Sequence, residues 1–338
     1  MVALSRPLAA SAIAEMSWIR VEEANAVGAC RSAAQHLIGQ LSFAATRAVE
    51  VALAVTEAAS NLHKHARQGT LLLRINREAE VPGIDLVTID AGPGVGDVGA
   101  ALRDGHSTAG TLGIGLGAIR RLADSCDMYS VPGHGTALVA RFWPAPGQLP
   151  GRCAGLIRPI SGEFECGDAF RAVLTGDVIT GVMCDGLGHG PLAAIAARES
   201  LAAVADDPAA EPVALLDRVH RRLGHTRGAA VGIVQVADGT ARYAGLGNIA
   251  AWILSADSRA GMLSVPGIAG HQARTIRQFE YAVPAGAAIV LHSDGLSSRW
   301  DARALPGLAS RDPLVIAAAL LAEAGVHRDD AGILVLKP

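Results

Sequence analysis

The sequence predicts an α/β protein of two domains, and three features support that prediction. The chain has 338 residues, which at about 100 to 200 residues per domain favours two separate cores. The segment 141–151 holds three prolines and two glycines, a composition typical of an extended linker. Helical and strand-like apolar patterns occur on both sides of it. We therefore expect one domain over residues 1–147 and a second over residues 148–338.

In the first domain, the predicted helices come before the strands. Apolar residues recur at helical spacing over 21–40 and 46–65. Short apolar runs predict strands at 71–75, 84–89, 128–131 and 137–142. A further helix should follow Gly113. This order predicts a sandwich with helices on one face of a mixed sheet.

In the second domain, predicted strands outnumber predicted helices. Strand-like runs occur at 172–174, 178–184, 230–236, 242–244, 250–254, 288–292 and 333–336. Helical spacing occurs over 192–204, 213–223 and 314–324. Two of these helices lie between the second and third strands. The pattern predicts two packed sheets flanked by helices.

Composition and charge exclude several classes of function. Half of the residues are hydrophobic and 18% are charged, which is typical of a globular chain. The formal net charge is -3 and basic residues form no run longer than a pair, so nucleic acid is not expected as a partner. The longest apolar stretch, 314–322, is too short to span a bilayer. We therefore expect a cytoplasmic protein that does not bind a membrane. Its five widely spaced cysteines predict buried free thiols.

A first group of polar residues lies on the predicted helix 46–65. Glu57 and Asn61 are four residues apart, so their side chains project from the same face. A carboxylate can polarise a hydroxyl group, and an amide oxygen can complete the ligand shell of Mg²⁺. Lys64 and His65 follow directly. Taken alone, this spacing is more typical of an ordinary exposed helix pair.

Glycine clusters downstream add weight to a nucleotide site. The segments are 90–96 directly after a strand, 111–117 at the start of a helix, and 133–136. Glycines let backbone amides approach an anion closely, and a helix N-terminus favours negative charge. The glycine spacing matches neither the Rossmann fingerprint nor the P-loop. These clusters therefore predict a triphosphate pocket of another kind.

Together these elements resemble the GHKL ATPase superfamily, specifically the small anti-sigma-factor serine kinases. The N box is 57–66, the G1 box 90–94 and the G2 box 113–117, followed by Gly135 and Thr136. The resemblance covers about residues 15–143 and implies the Bergerat α/β sandwich. It implies ATP bound through Asn61, Lys64, His65, Asp90, Gly92, Gly94, Gly113, Gly115, Gly117 and Thr136.

The same resemblance implies individual roles. Asp90 would read the adenine amino group, with Thr136 nearby, and Asn61 would hold Mg²⁺. Glu57 would be the base that activates a serine or threonine hydroxyl of a protein.

A second group of acidic residues lies at predicted strand ends in the other domain. Asp185, Asp294 and the pair Asp329-Asp330 each adjoin an apolar strand. Their oxygens are the ligands that Mg²⁺ or Mn²⁺ prefers, and two such ions can activate a water for phosphate hydrolysis. An isolated Asp-Gly pair is more often only a turn. The combined order of these residues favours a metal centre.

This order resembles the metal-dependent PPM-type serine/threonine phosphatases, in the SpoIIE-like branch, over about residues 152–338. The resemblance implies an α-β-β-α sandwich in which Asp185 is catalytic and bridges two metal ions and Gly186 contributes its carbonyl. Asp294 and Asp329 would complete one ion's shell, and Asp168 would lie behind them or bind through water.

Three positions near these motifs depart from the family pattern or stay ambiguous. Gly332 stands where the family often has threonine. His189 can steer a leaving-group proton, but a histidine in a glycine-rich loop is more often only solvated. Asn248 is expected in a turn, with little chance of touching the substrate.

A kinase-like and a phosphatase-like domain in one chain would run opposite reactions on the same kind of group. Both resemblances imply bacterial partner-switching, in which a STAS-domain antagonist protein is the substrate. A sigma factor or another downstream regulator is a further expected partner. We expect a bifunctional enzyme that uses ATP, Mg²⁺ and Mn²⁺. The alternatives are that the first domain only grips a protein in the presence of ATP, or that ATP is an allosteric signal for the phosphatase.

Overall fold

The computed structural model of the chain describes residues 5–10, 16–77, 81–103, 115–145, 147–148, 150–273 and 275–338. These residues divide into two compact units. One lies within Ala14–Pro150, and the other consists of Gly151–Pro338 together with strand β1 (Ser5–Ala10). The division falls at 150, close to the expected boundary at 147. The sequence predicted that residues 1–147 all belong to the first domain. This prediction is wrong for β1, which belongs to the second unit.

The first unit places helices against one face of a sheet. Its order is β2 (Met16–Arg20), α1 (Asn25–Gly39), α2 (Ala45–His65), β3 (Thr70–Asn76), β4 (Gly83–Asp90), α3 (Val98–Ala101), α4 (Gly115–Leu122), β5 (Ser125–Ser130) and β6 (Thr136–Phe142). Apolar faces of α1, α2 and α4 meet the sheet in a core that includes Ala34, Val55, Leu71 and Ile119. The predicted layer of helices on one face is confirmed.

The sheet of this unit differs from the mixed sheet expected. Its order is β2-β3-β4-β6-β5, and the described strand pairs are all antiparallel. Only a few residues separate β3 from β4 and β5 from β6, and such short connections join antiparallel neighbours. Helix α1 begins at Asn25 rather than Val21, because Val21 is buried and donates its backbone N–H to the carbonyl of Gly69 beside the end of β2.

The second unit contains two stacked sheets with helices outside. Its elements after β1 are β7 (Cys153–Arg158), β8 (Asp168–Thr175), β9 (Val178–Gly186), α5 (Pro191–Ala205), α6 (Pro212–Arg222), β10 (Ala229–Ala237), β11 (Thr240–Leu246), β12 (Ala250–Leu254), β13 (Arg259–Met262), β14 (Phe279–Ala282), β15 (Ala288–His292), α7 (Pro313–Ala324) and β16 (Ala331–Leu336). The sheet orders are β1-β8-β9-β10-β11-β14 and β13-β12-β15-β16-β7. Helices α5 and α6 pack on the first sheet and α7 on the second. The predicted pair of sheets flanked by helices is confirmed.

The described helices include none that is long and apolar enough to cross a membrane. All five cysteines are free thiols; four are buried, whereas Cys126 is half-buried. Burial raises the pKa of Cys30 to about 11.

Strand β1 completes the first sheet of the second unit. It pairs antiparallel with β8 over Ser5 to Ala10, and the Ser5 Oγ lies 3.0 Å from the Thr175 Oγ1. Leu8 and Ala9 are buried there. The strand covers N–H and C=O groups that would otherwise leave β8 as an open edge.

We expect Leu8→Ala to lower the free energy of unfolding of this unit by about 2 to 3 kcal/mol, because a buried aliphatic side chain is lost. Hydrogen exchange of the β8 amides measures the effect. The exposed Ala10 provides the control, Ala10→Ser, which should leave that exchange unchanged. Equal protection of β8 in the Leu8→Ala variant and the unaltered chain would show that β1 does not stabilise the sheet.

Candidate active sites

In the first unit, the ends of two paired strands place the adenine-site candidates together. Asp90 is the last residue of β4 and lies opposite Thr136, the first residue of β6. The Asp90 Oδ1 accepts a hydrogen bond of 2.7 Å from the backbone N–H of Gly92. Burial raises the pKa of Asp90, while that hydrogen bond opposes the rise. The carboxylate is therefore held in one orientation at the rim of the sheet.

Glycines let the loop after β4 pack against the β5–β6 turn. Gly94 has a φ of +73°, and a Cβ added there would collide with the carbonyl oxygen of Val131. The Ser130 hydroxyl accepts from the backbone N–H of Val95 at 2.7 Å and donates to the carbonyl of Gly135 at 2.8 Å. Ser130 also lies 3.0 Å from the Thr136 hydroxyl. The sequence analysis missed this serine, because no motif marks it.

Helix α2 forms the opposite wall of this site. Glu57 is half-buried one turn before Asn61. A Cβ added at Gly115, the first residue of α4, would lie 2.8 Å from the Asn61 Oδ1, so the glycine makes room for the amide. The Asn61 Nδ2 is buried and has no hydrogen-bond partner among the residues that the structure describes. A buried amide without a partner fits a site that a ligand completes.

The remaining candidates for nucleotide binding lie in α4, in the last turn of α2 or outside the described residues. Gly117 is buried in α4, and Gly113 lies outside the described residues. Lys64 and His65 are exposed in the last turn of α2. Their assignment to the nucleotide stays a prediction.

In the second unit, the predicted metal ligands come from both sheets. Asp168 begins β8 and lies directly opposite Asp185 near the end of β9. Asp294 follows β15 and Asp329 precedes β16. The negative charge of Asp294 raises the pKa of Asp185, so the two carboxyl groups lie near each other. The stacking of the sheets therefore brings together acids that are more than 100 residues apart in the chain.

Neighbouring polar groups hold these acids in place. The Ser293 hydroxyl donates to the Asp168 Oδ2 at 2.5 Å and accepts from the backbone N–H of Gly332 at 2.9 Å. The Asn248 Nδ2 donates to the Asp294 Oδ2 at 2.8 Å. Asn248 therefore orients Asp294, a role that the sequence did not predict. The two residues are far apart in the chain, and only the fold brings the β11–β12 turn next to Asp294.

Asp330, next to the predicted ligand Asp329, has a different function. Its two carboxylate oxygens accept backbone N–H groups of Ile160 and Gly167, both at 2.7 Å. Asp330 is buried and fixes the loop that leads into Asp168. Asp330 is thus bonded to backbone N–H groups, whereas the adjacent Asp329 stays the predicted metal ligand.

Gly186 is required by the close approach of α5. A Cβ added at this position would collide with the carbonyl oxygen of Ala193. Its backbone N–H donates to the carbonyl of Gly167 at 3.0 Å. The glycine therefore allows the end of β9 to lie beside both the helix and the loop before Asp168.

Burial and electrostatic repulsion both act on the acids of this centre. Burial, the larger cause, and the charges of Asp294, Asp329 and Asp330 together raise the pKa of Asp185 to about 8. Burial and neighbouring carboxylates also raise the pKa of Asp168 and of Asp294. The Asp168 Oδ1 is buried, and the described part of the chain offers it no hydrogen-bond partner. Mutually repelling oxygens with a free acceptor fit a divalent cation.

The acids do not form a finished ligand cage. Among the described residues, no group of three or more histidine, cysteine, aspartate or glutamate side chains is placed to hold one ion. A bound cation would have to draw the carboxylates closer.

The sequence favoured a His189 that contacts only solvent, but the structure gives this side chain a protein partner. Its Nδ1 lies 2.9 Å from the Glu163 Oε1, and 58% of the side chain is exposed. The histidine links the loop after β9 to the loop before β8. Its assignment to a proton transfer stays a prediction.

Each unit matches one known family. Residues 20–142 match the histidine kinase-like ATPase domain, and residues 176–337 match stage II sporulation protein E, SpoIIE. After these matches, we name the first unit the ATPase domain and the second the SpoIIE domain. Both family resemblances predicted from the sequence are confirmed, and so are the two fold types.

Individual relatives match one domain each. The serine/threonine-protein kinase RsbT of Bacillus subtilis (strain 168) is 29% identical over 129 residues, which cover 38% of this chain and 97% of RsbT. A solved protein of the bacterial stressosome, a modular system adapted to control secondary messenger signalling, is 29% identical with a TM-score of 0.49, covering 54% of this chain and 97% of its own. RsbX in complex with magnesium is 18% identical with a TM-score of 0.47, covering 54% and 92% respectively.

Asn61→Ala should weaken binding of ATP with Mg²⁺ to the ATPase domain at least ten-fold, or about 1.4 kcal/mol. The reason is that the buried amide beside Gly115 is removed from the pocket. Calorimetric titration measures the affinity. Gln40→Ala, which removes an exposed amide at the end of α1, is the matched control. An unchanged affinity in Asn61→Ala would contradict this placement of the nucleotide.

Without metal, the SpoIIE domain should become less stable as the pH rises from about 4 to about 8. Over this range, folded Asp185 keeps a proton that the unfolded chain has released, because its pKa is raised to about 8. Asp185→Asn should therefore stabilise the metal-free domain at about pH 8 by on the order of 1 kcal/mol or more.

Thermal unfolding in EDTA at about pH 5 and pH 8 measures this dependence. Glu165→Gln, which alters an exposed carboxylate paired with Arg198, is the control and should keep the dependence. Added Mn²⁺ should restore stability at the higher pH. An Asp185→Asn domain with the pH dependence of the unaltered chain would disprove the assignment to Asp185.

Proposed function

We propose that this chain phosphorylates and dephosphorylates serine or threonine on the same protein, a STAS-domain antagonist of a bacterial partner-switching pathway. The observation that carries the proposal is that each domain has its own acid at a site of the matching chemistry. Glu57 lies one turn from the unpartnered amide of Asn61, and Asp185 lies among carboxylates that repel one another. The likeness to RsbT, named as a serine/threonine-protein kinase, supports the first activity.

In the ATPase domain, the residues orient ATP and accept a proton. Asp90 would receive the adenine amino group, and the glycine loops would cradle the phosphates with backbone N–H groups. Asn61 would hold the Mg²⁺ that accompanies ATP. Glu57 would take the proton of the serine or threonine hydroxyl while the hydroxyl oxygen attacks the terminal phosphorus of ATP. The bond between that phosphorus and the bridging oxygen breaks, and ADP leaves.

In the SpoIIE domain, the acids hold positive charge and orient the phosphate. Mg²⁺ or Mn²⁺, when bound there, would neutralise the phosphate and lower the pKa of a water molecule. Asp185, Asp294, Asp329 and the Gly186 carbonyl would hold the ions, with Asp168 behind them. Hydrolysis consumes one water and yields the free hydroxyl and inorganic phosphate.

Surrounding residues would keep this centre in shape between cycles. Ser293 orients Asp168, and Asn248 orients Asp294. Asp330 holds the loop before Asp168 through two backbone N–H groups. Because these contacts use protein groups only, they would keep Asp168 and Asp294 oriented before a cation draws the carboxylates together.

The two activities together would hydrolyse ATP without net change to the protein. A signal must therefore favour one domain at a time. A sigma factor or another downstream regulator, released or captured according to the phosphorylation state, would be the recipient of that signal.

Two substitutions should separate the two activities. Glu57→Ala should lower phosphate transfer at least about a hundred-fold, because the base is lost, and should spare dephosphorylation. Asp185→Asn should do the reverse, because a carboxylate that would hold the metal ions is lost. Transfer is measured with labelled ATP, Mg²⁺ and each STAS-domain protein of the same genome, using Asp185→Asn so that the product is not removed.

Removal of the label by the unaltered chain with Mn²⁺ completes the test. Asp217→Asn, on the exposed face of α6, is the control for charge and should change neither activity. If both activities fall in either single variant, two independent sites are disproved. If ATP binds tightly and no label is transferred, the ATPase domain is a nucleotide-dependent binding module instead.

A further inference from the structure

Exposed apolar side chains are concentrated beside the two proposed catalytic acids. The described residues include eight large hydrophobic side chains that are exposed: Val49, Leu53, Phe164, Leu187, Leu192, Ile195, Leu263 and Val326. Two of them precede Glu57 on α2. Four lie on the loop before Asp168 or follow Asp185 within ten residues. This distribution is unlike singly scattered surface residues, which need no explanation.

Phe164 is the most exposed of these residues, although the loop that carries it is held at two points. The side chain is 91% exposed. On one side, Glu163 lies 2.9 Å from the Nδ1 of His189. On the other side, Glu165 accepts a hydrogen bond of 2.9 Å from Arg198 on α5. The backbone is therefore fastened while the aromatic ring faces outward.

These contacts place Phe164 at the rim of the phosphatase centre. Its loop ends at Gly167, whose carbonyl accepts the backbone N–H of Gly186, the neighbour of Asp185. Leu187 follows Gly186 directly. Leu192 and Ile195 are three residues apart on α5 and share one face of the helix. We name Phe164, Leu187, Leu192 and Ile195 the apolar rim.

Both acidic residues that flank Phe164 are held by side-chain contacts. Glu163 lies within hydrogen-bond distance of His189, and Glu165 accepts a hydrogen bond from Arg198. The rim therefore offers an incoming protein apolar contact beside an acidic centre. A phosphorylated residue that reaches the centre must bring its flanking side chains past this rim.

We propose that the apolar rim binds hydrophobic side chains next to the phosphorylated residue of the protein substrate. The occupant is a phosphoprotein, because the rim is continuous with the site at which its phosphate is hydrolysed. This inference rests on the proposed phosphatase activity and adds a preference for apolar flanking residues. Phe164 would be the main contact, since its ring has the largest exposed area to bury.

A second observation in the other domain agrees with an apolar target surface. Val49, Leu53 and Glu57 are spaced four residues apart on α2, so the two aliphatic side chains lie on the face that leads to the proposed base. A protein with an apolar surface beside its serine or threonine would find apolar contact at each site in turn.

Two phosphoserine peptides of equal length and charge test the apolar rim, one with leucine on both sides of the phosphoserine and one with serine. With Mn²⁺, the unaltered full chain should have a kcat/KM at least about ten-fold higher for the leucine peptide. Phe164→Ser should reduce that preference to within about three-fold, and Phe164→Leu should keep most of it. Hydrolysis of p-nitrophenyl phosphate should be unchanged in both variants, because this small ester does not reach the rim.

Leu263→Ser, which alters an exposed leucine next to β13, is the matched control and should keep the peptide preference. Equal kcat/KM for the two peptides in the unaltered chain would overturn the inference, and so would the same loss of preference in Leu263→Ser. The inference also fails if Phe164→Ser only dissociates a self-associated form, as seen by sedimentation, and keeps the preference. Failure of the proposed function is distinct, because then neither p-nitrophenyl phosphate nor either peptide is hydrolysed.

Discussion

Repulsion among clustered carboxylates is the constraint around which the SpoIIE domain is built. Asp168 and Asp185 face each other across two paired strands, and Asp294 arrives from the other sheet. Such acids can be kept together only if surrounding groups orient them and a positive charge completes the site. Ser293 and Asn248 provide that orientation. The stacking of two sheets is therefore as much a requirement of the site as of the core.

The ATPase domain solves a different problem, because its candidate ligand is a large anion. There, close backbone packing replaces a cluster of charged side chains. Gly94 and Gly135 have positive φ values and lie against backbone carbonyl groups of neighbouring segments, where any Cβ would collide. The room left beside Asn61 by Gly115 has the same origin. Glycine in this domain therefore provides space for close backbone packing and for the amide of Asn61.

The two domains share one surface property despite these different sites. Each presents exposed apolar side chains beside its proposed catalytic acid, Leu53 before Glu57 and Phe164 near Asp185. The opposite reactions that we propose on one protein would require the same region of the target to be recognised twice. Apolar contact meets this requirement without competing with the charges that bind phosphate. Affinity for the target can thus be separated from the chemistry at each centre.

Much of this protein is determined by local patterns in its sequence. The apolar periods of the central helices and strands, the glycine boxes and the acids at strand ends all follow from residue type and short-range spacing. The strands that were missed, β1, β2, β7, β13 and β14, all lie at sheet edges, where pairing on one side leaves a weaker pattern.

Only the tertiary structure decided what depends on distant partners. It placed β1 in the sheet of the second unit and made the first unit's sheet antiparallel. It also distinguished Asp329 from Asp330, since both oxygens of Asp330 accept backbone N–H groups from a loop more than 160 residues away. The physical reason is that hydrogen-bond pairing and packing join residues far apart in the chain, whereas sequence periodicity reports only which side of its own segment a residue faces.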